Sequence, residues 1–75
     1  MIRYPVLLEA TGDGYWVHAP DVPGCVSFGA SREEALANMR EALEGHLGLM
    51  LEQGDALPPA SAAAEMLEVS LPPGR

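Results

Sequence analysis

The sequence predicts an α+β domain, β-β-β-α-β, with one long helix packed on a small, mostly antiparallel sheet. Three observations predict it. Residues 31–53 carry apolar side chains at helical spacing, the stretches before them alternate with a period of two, and Gly- and Pro-dense turns separate the segments.

The first strand is expected over residues 2–10, where Ile2, Tyr4, Val6 and Leu8 alternate with Arg3, Pro5, Leu7 and Glu9. Pro5 hints that one side of this strand lacks a ladder partner. Thr11-Gly12-Asp13-Gly14 is a turn, and pairing Ala10 with Tyr15 sets Leu8 against Val17 and Val6 against Ala19. The opposite face then carries Pro5, Leu7, Trp16 and His18, so neither face is truly polar. Pro20-Asp21-Val22-Pro23-Gly24 reads as a tight turn, with Pro fixing one corner and Gly supplying positive φ at the next. A third strand follows over residues 25–28. An all-loop connection puts Val26 and Phe28 beside Trp16 and His18, whereas a bulge reverses this.

The helix is the best-signalled element. Ser31 and Glu34 form an S-x-x-E capping box, Glu33 and Glu34 suit the positive end of the macrodipole, and Gly54, Asp55 and Pro58 supply the stop. Leu36, Met39, Leu43, Leu47 and Met50 fall on one stripe and make its core face. Beside that stripe runs a row of mostly small residues, Ala35, Asn38, Ala42, Gly45 and Leu49, suited to close approach by a second helix or strand. Residues 56–60 form a Pro-containing connector, residues 61–65 have room for a helical turn, and residues 66–71 alternate weakly as a fourth strand. Pro72-Pro73-Gly74-Arg75 closes the sequence.

At 75 residues the chain makes one domain, and a domain of this size buries only about 60% of its unfolded surface. Hydrophobic residues at 48% argue against disorder. Eleven acids against four arginines, with no lysine, give a net charge of -7. Such a chain repels nucleic acid, which is bound through cationic side chains, and attracts a basic protein. The single cysteine, Cys25, forms no internal disulfide and is read as a small buried hydrophobe. Neither a membrane span nor a signal peptide is expected, so the expected compartment is the cytoplasm.

One helix covers one sheet face only. The other face keeps Leu7 and Trp16, with Val26 and Phe28 in one register, or else Val6, Leu8, Tyr15 and Val17. An uncovered apolar face on a thin core predicts contact with another chain, including a homodimer or higher homo-oligomer. The candidate contact residues are Leu7, Trp16, His18 and Leu49.

Across nearly its whole length the sequence also resembles a known family. Tyr4-Pro5-Val6-Leu7-Leu8, Asp13-Gly14-Tyr15-Trp16-Val17, Pro20-Asp21-Val22-Pro23-Gly24-Cys25, Gly29-Ala30-Ser31-Arg32-Glu33-Glu34-Ala35, Glu41-Ala42-Leu43 and Leu57-Pro58-Pro59-Ala60-Ser61 are similar to the HicB antitoxins of HicA-HicB toxin-antitoxin pairs. The P-D-x-P-G-C turn at this distance from a capped S-x-E-E-A helix is the specific part. The resemblance implies a partial ribonuclease-H-like fold and a role in binding and masking a small basic HicA-like RNA-cleaving toxin. Many HicB proteins continue into a C-terminal DNA-binding domain. Here a single HicB-like domain over residues 1–75 is expected, without that extension and without direct nucleic acid binding.

Two other readings stand beside this one. Ribonuclease-H folds hold divalent ions on carboxylates, which would make Glu9, Glu41 or Glu44, and Glu68 candidate ligands of a nuclease. The expected register sets Glu9 away from the helix, and basic residues to hold a phosphodiester are few. An orphan oligomeric domain without a toxin is the other alternative. His18, His46 and Cys25 have no readable acidic orienter or metal-ligand spacing, so no catalytic residue, metal site or cofactor is expected.

Overall fold

The computed structural model describes residues 2–73 and holds three antiparallel strands followed by one helix. The strands are β1 (Leu7–Ala10), β2 (Tyr15–His18) and β3 (Val26–Gly29), and the helix is α1 (Arg32–Glu52). The sheet order is β1-β2-β3. Leu8 pairs with Val17 and Ala10 with Tyr15, the register expected from the hairpin. Its loop closes through a 2.8 Å bond from the Thr11 N–H to the Gly14 carbonyl.

Between β2 and β3 the chain folds inward as a compact turn. The Val22 N–H bonds the Ala19 carbonyl at 3.1 Å, the Cys25 N–H bonds the Val22 carbonyl at 3.1 Å, and Gly24 takes the expected positive φ of 82°. Val22 is thereby driven into the core. The turn behaves as plain loop, so Trp16 pairs with Phe28 and His18 with Val26. Of the two registers open from sequence, this is the one without a bulge.

Helix α1 begins at Ser31, whose hydroxyl accepts from the Glu34 N–H at 3.1 Å. The return bond of the capping box is displaced by one residue, because the Glu34 carboxylate accepts from the Ala30 N–H at 2.6 Å. At the other end Gly54 adopts φ 78°, the Asp55 N–H reaches the Met50 carbonyl and the Gly54 N–H that of Leu51. That is a Schellman stop, as the glycine predicts.

The helix lies over β2 and β3, on the face that carries Leu8, Tyr15 and Val17. The core is Val17, Ala19, Val22, Cys25, Ala35 and Met39, with Tyr4, Val6, Leu36, Leu43 and Leu47 partly buried around it. This face wins because Ala19, Val22 and Cys25 join Val17 there, whereas the opposite face holds Glu9 and His18, which keep their hydration. Ala35, the first of the small-residue row, is fully buried, and a Cβ on Gly29 would strike its backbone. Asn38 donates 2.8 Å to the Phe28 carbonyl. The start of this row therefore seats the helix on its own sheet, leaving Gly45 and Leu49 outward.

Three expectations are corrected. Among the described residues, 2–6 have no ladder partner, so β1 starts at Leu7. Residues 61–65 form no helical turn, and residues 66–71 form no fourth strand to complete the ribonuclease-H-like order. The connector is instead pinned twice, by a 2.6 Å bond from the Tyr4 hydroxyl to the Pro58 carbonyl and by bonds to Asp21. Beyond Ala62 it runs clear of the body. The Cα radius of gyration is 15.7 Å, against about 11 Å for a compact domain of this length. Gly74 and Arg75 of the predicted closing turn lie outside the described residues.

Candidate functional site

The sheet face opposite α1 is open and apolar. Two cross-strand rows build it: Leu7, His18 and Val26 stand side by side across the three strands, and Glu9, Trp16 and Phe28 form the row next to them. Period-two alternation puts these residues together, since each faces away from Val17 and Leu8. Trp16 and Phe28 meet edge to face with ring centroids 5.3 Å apart. Trp16 is still 49% exposed and Val26 54%, and Leu7 is 40% exposed. Such side chains on one face form a contiguous patch of the kind that contacts other proteins.

Of the four residues singled out from the sequence, the structure brings together Leu7, Trp16 and His18. Leu49 does not join them. It is 53% exposed on α1, which packs on the other side of the sheet. Val26 and Phe28 complete the patch, as the loop register allows.

The carboxylates of the nuclease reading do not converge. Glu9 stands on the open face, Glu41 and Glu44 on the helix across the sheet, and Glu68 in the exposed segment after residue 62. Among the described residues no three His, Cys, Asp or Glu side chains are grouped to hold a metal ion. Cys25 is buried at 5% exposure, and desolvation pushes its thiol pKa up, away from the reactive thiolate.

Sequence reading missed a second role for Asp21. Beyond shaping its turn, its carboxylate accepts from the Ser61 hydroxyl and the Ala62 N–H, each at 3.1 Å. A lone Asp in a Pro-Gly turn carries no signal of a partner 40 residues away.

The open face is thus one side of a small three-stranded sheet, and the fold is that of a small α+β domain. The chain belongs to the HicB-like antitoxin family of bacterial toxin-antitoxin systems, whose model matches residues 4–70. It is 47% identical over 55 residues to a 14.9 kDa protein of the rep-hol intergenic region of Haemophilus phage HP1, covering 73% of this chain and 41% of the relative. A UPF0150 protein of Thermoplasma acidophilum is 31% identical over 58 residues, 76% of this chain and 84% of the relative. Antitoxin HicB 1 of Photorhabdus laumondii is 35% identical over 72 residues, 93% of this chain and 46% of the relative. The chain thus spans less than half the length of the phage relative and of this antitoxin. No solved structure matches it.

Proposed function

We propose that this chain binds a small basic HicA-like RNA-cleaving toxin in the cytoplasm and masks its active site with the open sheet face. The observation that carries the reading is the half-exposed Trp16, set between Leu7, Val26 and Phe28, on a chain of net charge -7. Opposite charge speeds the encounter, and burial of the aromatic anchor then holds the complex. Charge acts mainly on the association rate and the apolar face on the dissociation rate. No side chain has to react, so the antitoxin works as a binding protein rather than an enzyme.

The test is to mix the purified chain with a HicA-like toxin and follow both complex formation and RNA cleavage. A complex that suppresses cleavage, and forms more slowly as salt is raised, is expected. A toxin that stays free and fully active in excess antitoxin overturns the reading.

A further inference from the structure

We infer that Glu9 and Trp16 together form a seat for an arginine side chain of a basic partner, with the guanidinium lying on the indole and forked onto the carboxylate. The inference rests on the proposal that a basic toxin docks on the open sheet face, and it names the chemistry gripped there. Glu9 and Trp16 are direct cross-strand partners, so their Cβ atoms stand about 4.5–5.5 Å apart on one face. Both side chains are exposed, Trp16 at 49%.

Phe28 pairs with Trp16 from the β3 side and meets it edge to face at 5.3 Å. The Phe28 ring lies in turn beside Gly14, where a Cβ would strike it, so the absence of a side chain there lets the two aromatics close up. Trp16 is thus flanked by a packed ring on one strand and by a carboxylate on the other. A guanidinium suits that pairing: its plane is attracted to the π face of an indole, and its N–H fork matches the two carboxylate oxygens.

The charge of Glu9 decides what covers it. Across the three described strands Glu9 is the one charged side chain and His18 the one histidine, set diagonally from Glu9 at about 7–8 Å. The described arginines lie elsewhere: Arg32 and Arg40 belong to α1 across the sheet, and Arg3 lines a groove with Leu43 and Leu47 of that helix. A purely apolar partner laid over this face would strand the carboxylate without water or a counter-charge, which offsets much of the apolar gain. A partner that buries Trp16 must therefore place a cation at Glu9, and a chain of net charge -7 draws partners that carry one.

Trp16 is the single tryptophan of the chain, so indole fluorescence reads the seat directly. N-acetyl-arginine amide, titrated into the full chain, is expected to shift that emission at concentrations where its uncharged counterpart, N-acetyl-citrulline amide, does not. E9Q is expected to abolish the difference, and E41Q, which removes the same charge from an exposed position of α1 across the sheet, to keep it. Glu9 is exposed on an edge strand, so E9Q keeps the parent fold, as its helix signal checks. With a HicA-like toxin, E9Q is expected to weaken the complex about tenfold and E41Q by no more than about twofold. Equal response to the two amides, an E9Q chain that still tells them apart, loss of the difference in E41Q, or a toxin held as tightly by E9Q as by the parent would each overturn the inference. The two readings fail separately: a chain that distinguishes the amides but leaves the toxin free and active removes the toxin reading and keeps the seat, and one that silences the toxin while responding equally to both amides does the reverse.

Discussion

The Tyr4 hydroxyl donates a 2.6 Å hydrogen bond to the carbonyl of Pro58, joining residues 54 positions apart and fastening the segment after the helix to the segment that leads into β1. A second fastening follows at once, where Asp21 receives the Ser61 hydroxyl and the Ala62 N–H. Together they set the line along which the rest of the chain leaves the body.

Tyr4→Phe removes the donor and leaves the ring. The expected cost in a urea unfolding curve is about 0.5–1.5 kcal/mol, the net worth of one such bond. Amide exchange across residues 56–62 should quicken while that of β2 holds its rate. Unchanged exchange in the connector would show that the bond does not fasten it.

Gly29 faces the first turn of α1 so closely that a Cβ would meet the backbone of Ala35 and Glu34. Backbone cannot swing aside as a side chain does. Gly29→Ala is therefore expected to cost about 1–3 kcal/mol or more, as overpacking of a tight contact does. Gly12 is the control, because nothing lies within 4 Å of a Cβ built there. Its alanine variant should stay within about 0.5 kcal/mol of the parent. Equal stability of the two variants would mean that helix and β3 are not in close contact at Gly29.

Burial raises the Cys25 thiol above its ordinary pKa of 9.0, because the thiolate is desolvated in the core. Above the unfolded thiol's pKa the unfolded chain therefore loses a proton that the folded chain keeps, and stability falls as pH rises. Below that point the contribution is fully present. In denaturant titrations the parent should lose stability from pH 8 to pH 10 more steeply than Cys25→Ala, which has no thiol to ionise. Parallel slopes would remove the buried thiol as the cause. Thiol reagents at neutral pH should also label the folded chain more slowly than the urea-unfolded one.

Much of this fold is legible in the sequence, because its signals are local. The cap at Ser31, the stop at Gly54, the positive φ at Gly24 and the hairpin register each follow from residues within a few positions of one another. Val22 is different: between two prolines in a turn it reads as loop, and only the inward fold of residues 19–25 makes it core. Ala35 and Asn38 read as part of a row for a second helix or strand, because periodicity cannot tell which flank of a helix a glycine such as Gly29 will receive. The open face was half legible, since alternation puts Leu7 with Trp16 and His18 but leaves open which side the helix takes. Residues 66–71 show the limit most clearly. Their alternation is that of a strand, yet a strand needs a partner, and within the described residues none reaches it.

Trp16 separates folding from binding on the open face. Trp16 is 49% exposed and meets Phe28 edge to face, so Trp16→Ala should cost folding only about 0.5–1.5 kcal/mol beyond the lost area. As the central aromatic of a docking patch it should cost toxin binding about 2 kcal/mol or more, roughly a thirtyfold weaker complex, mostly through faster dissociation. Leu49→Ala, on the helix across the sheet, removes an equally exposed apolar side chain and should leave toxin affinity within about twofold. Surface-capture kinetics against a HicA-like toxin at two salt concentrations read both effects. If Leu49→Ala weakens the complex and Trp16→Ala does not, the toxin sits on the helix and the open sheet face is not its seat.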